Sequence, residues 1–405
     1  MAHVIVVGAG PAGASLALLL AQRGIAVTLL ERHTDFAREF RGELLLPGGL
    51  DALEQMGVWD DFTRVDQVQL EIFELFVDGR RRARVDAAGL GFGDRAPRWV
   101  SQPALLEMLV VRAAEFPGFR LERGATVRAL VQENGRTVGV RALLADGERE
   151  LRGDLVVGAD GRSSAVRRRA ALPEQQDPIP MDVVWCRVPL PDYARDEKVF
   201  RGYLGHGHLL LAAPVHGDAL QVAWVIRKGA FGELRERGME ACLHEMANHV
   251  SPDLAAHLRR HACDVTQPFL LSTVSDRVTE WSRAGLLVIG DAAHTMSPVG
   301  AQGINIAVRD AIVAANHLVP ALRGGADPRT IDAASRAVQA ERVPEVEAIQ
   351  RLQARAPRIV LNDAWWAQLV LRVLPLLLRP GAGEAARSGL FRRFAFGVTD
   401  VKLTV

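Results

Sequence analysis

The sequence predicts an α/β protein, α+β overall, in which a β-sheet domain is inserted into a parallel-sheet domain and a helical extension follows. Three observations predict this fold class. Apolar runs at residues 4–7, 155–157 and 286–289 each lead into a glycine-rich turn, as buried parallel strands do before a helix. A middle stretch, residues 181–227, alternates apolar runs with glycines, which is typical of antiparallel strands. The C-terminal part repeats its apolar residues near helical spacing.

Composition limits the class of function. The chain has 405 residues, 49% hydrophobic and 24% charged, so we expect a globular protein of two or three domains. Its 49 basic and 48 acidic residues leave a net charge of +1, which argues against a nucleic-acid partner because such a partner normally needs a basic face. No apolar run reaches the length of a membrane span, and the chain opens into a strand without a signal-peptide pattern.

The cysteines indicate the compartment. Cys186, Cys242 and Cys263 are far apart and are not grouped with histidines at metal-ligand spacing. They predict neither a disulfide framework nor a metal site. A reducing, cytoplasmic location fits this usage best.

The turn after the first predicted strand has the pattern G-x-G-x-x-G and precedes a predicted helix at residues 14–22 and a second strand at 25–30. Gly8 permits the tight turn, Gly10 lets the backbone approach a pyrophosphate, and Gly13 lets helix and strand pack closely. The helix N-terminus offers its N–H groups to phosphates, and Glu31 is placed to accept hydrogen bonds from ribose hydroxyls. The turn alone is weak evidence, but the whole unit in register predicts a dinucleotide site.

Two later segments repeat the arrangement of a buried strand that ends at a glycine and an aspartate. The first runs from Asp154 to Arg167 and contains Asp160. The second begins at Gly285, contains Asp291 and leads into a predicted helix at residues 306–318. Either aspartate alone has an alternative interpretation, in which it only caps the helix that follows. Both are also well placed to hold a cofactor hydroxyl, and the second helix points its positive end at whatever lies before it.

In this order and spacing, the three motifs resemble the single-component (group A) flavoprotein monooxygenases, the family of para-hydroxybenzoate hydroxylase and the ubiquinone-pathway hydroxylases. The resemblance covers roughly residues 3–345. It implies a Rossmann-like FAD-binding domain and a β-sheet substrate domain. It also implies that NADPH or NADH reduces the flavin and that a flavin hydroperoxide, formed with dioxygen, hydroxylates a small, electron-rich aromatic substrate.

The resemblance also implies residue roles. Contacts with the FAD phosphates and sugars fall on Gly8, Gly10, Gly13, Glu31, the neighbouring Arg32, Gln102, Asp160, Gly161 and Asp291. Contacts around the isoalloxazine fall on Arg41, Pro298, Gly300, Gly303 and Asn305. Pro298 is expected to close the flavin face against water, and Arg41 and Arg162 are candidates for the NAD(P)H phosphates. The chain departs from many relatives at Ser101, where they carry a basic residue, and Arg98 is a candidate replacement.

The domain division follows from the motifs. We expect the FAD-binding domain at residues 1–67, 98–180 and 268–343, the substrate domain at 68–97 and 181–267, and the helical extension at 344–405. Candidate pocket residues are Trp185, Tyr203, Leu210 and Trp224, and candidate general bases are His206 and His208, because imidazole can accept a phenol proton near neutral pH. The alternative for each is a tryptophan of the sheet core or an exposed histidine.

The C-terminal segment, from about Pro344, is predicted to be helical, with its apolar residues near helical spacing. We expect this face to dock across the two domains rather than to meet a membrane or a partner. Its residues are Trp365, Trp366, Leu369, Val370, Val373 and Leu376.

Other functions stay open. A reductase or oxidase of the same fold, or a non-catalytic flavin-binding partner in a biosynthetic complex, would share the three motifs. A flavin-dependent halogenase is disfavoured, because no lysine precedes Lys198 and the Trp-x-Trp-x-Ile-Pro element of that class is absent. Substrate-stimulated NADPH oxidation distinguishes a monooxygenase from a passive binder.

Overall fold

A computed structural model describes residues 2–37, 43–92, 94–205, 207–325, 327–362, 364–373 and 393–405. The described strands form two large sheets and three small ones. Helices pack on both large sheets. The predicted α/β fold class is confirmed. Among the described residues, no helix combines the length and the apolar content that crossing a bilayer requires.

The first large sheet, the nucleotide sheet, has six strands. Its central strand is His3–Val7, whose run of valine and isoleucine is buried, as a strand covered on both faces requires. Helices Pro11–Gln22 and Gln302–Arg323 pack together, and Gln102–Ala114 packs on the first of them. In order, the strands are Ser282–Arg283, Leu286–Val288, Leu155–Gly158, His3–Val7, Ala26–Glu31 and Phe119–Arg123.

The nucleotide sheet brings the three sequence motifs to one edge. Its strands are parallel, except for Ser282–Arg283, and Val7 pairs with Gly158, which pairs with Val288. Because parallel strands end on the same side of a sheet, the turns that follow these three residues lie side by side. Ligands of open α/β sheets bind in this position.

The second large sheet, the substrate sheet, has seven strands and two different faces. Helices Phe231–Arg237, Met239–Met246 and Pro252–Arg260 cover one face, and we call it the helix-covered face. The other, the inner face, packs against Trp99, Leu44 and Val299 of the segments next to the nucleotide sheet. In order, the strands are Thr266–Ser272, Met181–Pro189, Ala219–Arg227, His208–Val215, Val199–Gly205, Ile72–Val77 and Arg80–Asp86.

Three small sheets and several short helices complete the described fold. The small sheets are Leu44–Leu45 with Arg98–Val100 and Gln67–Gln69; Gly147–Arg152 with Arg136–Leu144 and Thr126–Glu133; and Glu174–Asp177 with Ser275–Val278 and His294–Thr295. The short helices are Pro47–Gln55, Trp59–Phe62, Ala165–Arg169 and Tyr193–Glu197, with 3-10 turns at Ala247–His249, Ala262–Asp264, Gly290–Ala292 and Val299–Ala301.

The C-terminal helix begins earlier than the sequence predicts. We expected it from about Pro344, but helix Pro328–Val360 starts where the Asp327 side chain accepts a hydrogen bond from Thr330 N at 2.9 Å. It continues through Pro344 and Pro357. Proline usually marks a helix boundary because it lacks an N–H group and its ring crowds the preceding turn, so a single helix that runs through both prolines is not evident from the sequence.

A buried ionic network, centred on Asp310, joins the last long helices to the nucleotide sheet. Asp310 accepts hydrogen bonds from Arg342 Nε at 2.7 Å and from Gly290 N at 3.0 Å, and its Oδ2 lies 2.6 Å from His294 Nε2. Arg342 also binds Glu345, and all these side chains are 1% exposed or less. The network therefore fixes the turn of the third motif, Gly290–His294, to helices Gln302–Arg323 and Pro328–Val360.

The same network reaches the C-terminal residues. Arg309 donates to Glu345 Oε1 at 2.8 Å and to the carbonyl oxygen of Thr399 at 2.6 Å. Glu345 Oε1 also accepts a hydrogen bond from Val398 N at 2.9 Å. Residues 396–399 are thereby held on the outside of helix Gln302–Arg323 by charges that burial makes costly to leave unpaired.

Asp310→Asn should lower the free energy of unfolding by about 3–5 kcal/mol, because it removes one carboxylate from a fully buried ionic network and leaves Arg342 and Arg309 to share Glu345. Urea unfolding of the FAD-loaded protein measures this, with Asp192→Asn, at an exposed carboxylate, as the control. An Asp310→Asn variant as stable as the control would contradict a central role for the network.

The network also predicts a pH dependence. Burial by itself raises the pKa of Asp310, but His294 and Arg342 outweigh it and lower the pKa from 3.8 to about 2. A carboxyl with a lowered folded-state pKa adds stability that is present above its unfolded pKa and is lost as the pH falls through the folded one. Between about pH 4 and pH 2, the wild type should therefore lose more stability than Asp310→Asn, as acid titration of the unfolding midpoint would show.

Candidate active site

The first glycine-rich turn has the geometry of a phosphate cradle. Gly8 has φ +99°, and a Cβ there would lie 2.5 Å from the carbonyl oxygen of Ala159. A Cβ on Gly13 would overlap the Gly8 carbonyl oxygen, whereas a Cβ on Gly10 would have no atom within 4 Å. Gly8 and Gly13 are thus required by packing inside the protein. Gly10 leaves open space in front of the N-terminus of helix Pro11–Gln22, where an anionic group is favoured.

Glu31 closes the turn from the neighbouring strand. Its carboxylate accepts hydrogen bonds from Ala9 N at 2.9 Å and from His33 N at 3.1 Å, and the residue is 3% exposed. The acid is therefore held at the turn, next to the Gly10 opening. Arg32 is exposed and donates from Nε to His33.

Asp160 acts as a helix cap in this structure. Its carboxylate accepts hydrogen bonds from Ser164 Oγ at 2.5 Å, Ala165 N at 2.6 Å and Val166 N at 3.1 Å. Both oxygens serve the start of helix Ala165–Arg169, and Gly161, at φ +78°, allows the turn between them. The capping interpretation therefore describes this side chain better than the direct cofactor contact that the resemblance implies.

Asp291 and Arg162 connect the second and third motifs. Arg162 Nε lies 3.4 Å from Asp291 Oδ2, and each side chain is about one-third exposed. The carboxylate of Asp291 therefore lies at the surface of the strand-end edge, with a cation beside it. It is accessible to a ligand, unlike the buried Asp310.

The helix after the third motif begins in a strained loop. Gly300 has φ +72° and Ala301 has φ +52°, and the helix starts at Gln302. A Cβ on Gly303 would have no atom within 4 Å, whereas one on Gly300 would meet the Phe394 ring at 2.7 Å. Gly303 is therefore the open position of this helix start. Pro298, just before the loop, is half-buried.

Asn305 fastens the helix start to the segment that lies opposite. Its Oδ1 accepts a hydrogen bond from Leu46 N at 2.8 Å, and its Nδ2 donates to Leu44 O at 3.1 Å and to Ala301 O at 2.7 Å. The side chain is 3% exposed. Asn305 thus shapes the cradle by holding residues 44–46, and its amide is already occupied by backbone groups.

Gln102 and Ser101 form the start of helix Gln102–Ala114, and Arg98 lies shortly before it. Gln102 is its first residue and is 9% exposed, and Ser101 precedes it as the N-cap. The Arg98 guanidinium lies over the rings of Trp59 and Phe62, at 5.2 and 5.9 Å from their centroids, and burial lowers its pKa. Arg98 is thus held by these rings and by Gln67, and its role as the replacement for the basic residue that relatives carry stays a prediction.

The inner face of the substrate sheet is apolar and incompletely buried. Trp185 and Trp99 pack edge to face, with their centroids 6.2 Å apart. Around them lie half-buried apolar side chains, in the position where a ligand would complete their burial. These are Leu44, Phe73, Phe200, Leu209, Leu211, Phe269, Leu271 and Val299.

A polar cluster borders this apolar face. Glu43 Oε2 accepts hydrogen bonds from Trp99 Nε1 at 3.2 Å and from Arg187 Nη2 at 3.1 Å, and His216 Nε2 lies 3.7 Å from Glu43 Oε1. Arg187 also donates to Gln221 Oε1 at 2.9 Å. The cluster fixes the segment that begins at Glu43, and so the Leu44–Leu46 backbone, to the substrate sheet.

Most of the predicted pocket residues lie on the other face. Tyr203, Leu210 and Trp224 belong to the helix-covered core, where burial raises the pKa of Tyr203 to about 12 and its hydroxyl bonds Ser251 Oγ at 3.0 Å. Trp185 pairs with Ala223, so Trp224 must point away from the face of Trp185. Of these four residues, we retain only Trp185.

The histidine predictions also change. The His208 ring stacks on that of His249, with centroids 3.7 Å apart, and lies near Trp224. It therefore belongs to the helix-covered side, and we withdraw it as a general base. His206 and Arg41 lie outside the described residues.

Sequence reasoning missed Glu43, Trp99, Arg187, Leu209 and Leu211. The alternation of strand residues carries a signal for the last two, because they flank Leu210 and must face the opposite way. Choosing the correct face, however, needs the strand register. Glu43, Trp99 and Arg187 come together only through tertiary pairing.

Comparisons with known proteins agree with this geometry. The chain matches a family model described as FAD binding domain over residues 1–350. It is 34% identical over 399 residues to 6-methylpretetramide 4-monooxygenase of Streptomyces rimosus, with 97% of this chain and 92% of that protein covered. It is 28% identical to the ubiquinone hydroxylase UbiL of Rhodospirillum rubrum, with 98% and 90% covered.

Solved structures show the same fold. The p-nitrophenol 4-monooxygenase PnpA of Pseudomonas putida superposes with a TM-score of 0.82 at 19% sequence identity, and the match covers 99% of this chain and 100% of that one. At this identity the likeness supports the fold alone.

The two glycines of the first turn should separate folding from FAD binding. Gly10→Ala should leave the thermal unfolding of the FAD-free protein unchanged but weaken FAD binding, because the new methyl group enters the open space. Gly13→Ala should destabilise the FAD-free protein itself, because its Cβ overlaps Gly8. Calorimetry of both variants and FAD titration test this. Equal FAD affinity in Gly10→Ala and wild type would contradict the cradle.

Asp291→Ala should lower FAD affinity by about tenfold or more, the value of a hydrogen bond to a charged group. Circular dichroism should show an intact fold, because the carboxylate is partly exposed. Arg162→Ala is the matched control, since it breaks the Arg162–Asp291 pair but keeps the carboxylate. Full FAD occupancy in Asp291→Ala would remove Asp291 from the site.

Proposed function

Because the chain belongs to the FAD-binding-domain family and its relatives are flavoprotein monooxygenases and hydroxylases, we propose that it hydroxylates an aromatic substrate with NADPH or NADH and dioxygen. One observation carries the proposal. The apolar inner face of the substrate sheet packs against Leu44 and Val299. Both residues adjoin the glycine-rich helix start, Val299 through the turn Val299–Ala301 and Leu44 through its hydrogen bond with Asn305, so they form a boundary between the two. A flat apolar substrate and a flavin ring would fit on the two sides of that boundary.

The residues present fit FAD. The Gly10 opening and the N-terminus of helix Pro11–Gln22 would hold the pyrophosphate, and Glu31 would accept hydrogen bonds from the adenosine ribose. Asp291 would bind the ribityl chain. The isoalloxazine would lie against Pro298 and the backbone before Gly303, where the helix dipole stabilises negative charge on a reduced flavin.

When bound and reduced by NAD(P)H, FAD supplies the activation of dioxygen and the transfer of one oxygen atom. The chain's own residues keep water out and orient the substrate. The apolar inner face excludes water from the reacting ring. Glu43, held by Trp99 and Arg187, keeps the Leu44–Leu46 backbone at the flavin edge. Arg162 is a candidate contact for the NAD(P)H phosphates because it is partly exposed at the strand-end edge.

The substrate class follows from the inner face. Trp99 and Trp185 favour edge-to-face or stacked contact with an aromatic ring. The half-buried leucines and phenylalanines around these two tryptophans make the apolar surface wider than one aromatic ring. We propose a multi-ring aromatic substrate, and 6-methylpretetramide, for which the Streptomyces rimosus relative is named, belongs in the first panel.

The domain boundaries and the location complete the proposal. We propose the predicted division into an FAD-binding domain, an inserted substrate domain and a C-terminal extension. The three cysteines are free and two of them are buried, which is compatible with a cytoplasmic location.

The FAD-loaded protein should oxidise NADPH or NADH faster when its substrate is added, and with ¹⁸O₂ the product should carry one labelled oxygen atom. The panel contains phenols, quinolones, indoles and polyketide aromatics, including 6-methylpretetramide. Trp185→Ala should raise KM for the active compound by about tenfold, since an aromatic contact and its buried area are lost. Trp224→Ala, on the helix-covered face, is the matched control for pocket contact.

Other outcomes would redirect the assignment. A product reduced at a double bond, with no label, would indicate a reductase. Flavin binding without stimulation by any compound would favour a non-catalytic partner. If Trp224→Ala raised KM more than Trp185→Ala, the substrate would bind at the helix-covered face and our proposal of the inner face would be wrong.

A further inference from the structure

Helix Trp365–Val373 turns its apolar face outward. Ala367, Gln368 and Leu371 face the protein, and Gln368 donates a hydrogen bond to Asn362 O. On the other side, Trp365 is 78% exposed and Leu369 is 53% exposed. The exposed large apolar residues of the helix, which we call the outer face, are Trp365, Trp366, Leu369, Val370 and Val373.

This arrangement contradicts the docking that we predicted for these residues. The sequence predicts the helical period correctly, but the apolar stripe is exposed, whereas the helix contacts strand Val199–Gly205 of the substrate sheet. Leu376 lies outside the described residues. Elsewhere in the described part of the chain, exposed large apolar side chains are scattered, as at Val111, Leu143, Val274 and Val398. Scattered residues need no explanation, whereas a contiguous patch indicates an interaction surface.

Basic residues lie at the C-terminal end of this helix. Arg372 Nε lies 2.9 Å from Asp78 Oδ2, in the turn that leads into strand Arg80–Asp86. That edge strand starts with Arg80, Arg81 and Arg82, all exposed. Arg81 and Arg84 both pair with Glu74. Among the described residues next to this end of the helix, arginines therefore outnumber carboxylates.

Basic residues also lie at the N-terminal end. Ala364 lines an open cleft of about 780 Å³, together with the charged residues Arg227, Lys228 and Arg358. Lys228 Nζ lies 3.0 Å from Asp182 Oδ1. The charged residues that line the cleft are therefore all basic.

We propose that the outer face and the basic residues at both ends of the helix dock the protein on an anionic lipid surface. Tryptophan is favoured at the level of lipid headgroups, and a helix with an apolar stripe lies in the plane of the interface, with that stripe in the acyl boundary. The arginines on either side attract anionic headgroups. The protein attaches to the surface through one short helix that lies in the plane of the interface.

Charge argues against a second copy of this chain as the occupant. A symmetric dimer places the same patch on both subunits. Because both ends of the helix are basic, a parallel or an antiparallel arrangement would bring cations together, and like charges across an interface are unfavourable. An anionic lipid surface complements both ends at once.

The test is flotation of the full-length, FAD-loaded protein with phosphatidylglycerol vesicles and with phosphatidylcholine vesicles. The protein should float with the anionic vesicles, and less so at high salt, because surface charges are then screened. Trp365→Ser with Leu369→Ser should lower the vesicle partition coefficient by about tenfold or more. Val111→Ser, at a residue 56% exposed on another helix, is the control and should float like the wild type.

The basic residues are tested separately. Arg80→Ser with Arg82→Ser should lower binding to anionic vesicles by about fivefold per arginine. Arg64→Ser with Arg120→Ser, at side chains 75% and 72% exposed, is the control for lost charge. The flavin content of each variant shows that it is folded.

Three results would overturn the proposal. The first is no flotation with either vesicle, and the second is equal flotation with both, which would remove the role of charge. The third is a wild-type dimer that Trp365→Ser with Leu369→Ser converts to monomer, which would make a second copy the occupant; sedimentation equilibrium measures this. None of these results bears on the monooxygenase assay.

Discussion

The buried pair between Asp310 and Arg342 is the interaction on which the arrangement of the site depends. Two charges taken out of water are costly, and they are retained only where hydrogen bonds satisfy them on several sides. Here the partners are the turn of the third motif, through Gly290 and His294, and helix Pro328–Val360, through Arg342 and Glu345. The carboxylate thus fixes, at one point, the turn Gly290–His294 that carries Asp291, helix Gln302–Arg323 and helix Pro328–Val360.

This arrangement separates the tasks of two aspartates, Asp291 of the third motif and Asp310 of the helix that follows it. Asp310 is fully buried and has only protein partners, whereas Asp291 is partly exposed beside Arg162. The first residue holds the backbone, and the second is available to a ligand. At the second motif one residue also has a structural role and another is accessible. Asp160 caps a helix, whereas Arg162 is partly exposed at the strand-end edge. A strand-end aspartate is therefore not by itself evidence of a cofactor contact, because the helix N-terminus that follows competes for its oxygens.

The sequence predicted the nucleotide sheet well because its signals are local. Gly13 and Glu31 are constrained by neighbours within the first strand–turn–helix–strand unit, through Gly8 and Ala9. Gly8 has a positive φ that favours glycine, although the closest contact of an added Cβ there would be Ala159 of the second motif. The continuous apolar runs are typical of strands buried on both faces of a parallel sheet. The substrate side was predicted poorly because its contacts depend on register. Trp185 and Trp224 read alike in the sequence, yet the pairing of Trp185 with Ala223 puts them on opposite faces. Glu43, Trp99 and Arg187 are distant in the chain, so no local pattern could join them. The helix at Trp365 was recognised from its period, but the direction of its apolar face is a tertiary property.

The substrate sheet also constrains how the chain reaches its native state. Strand Ile72–Val77 pairs in parallel with Val199–Gly205, and strand His3–Val7 pairs with Leu155–Gly158, which pairs with Leu286–Val288. Neither large sheet can close until distant parts of the chain have been synthesised. Pairings of such high sequence separation slow folding and prolong the exposure of unpaired strand edges. During synthesis, the early hairpin at residues 72–86 must therefore wait for its partner strand. The arginines of its second strand should protect the hairpin until the partner strand is made, because charges on an open strand edge oppose association between nascent chains.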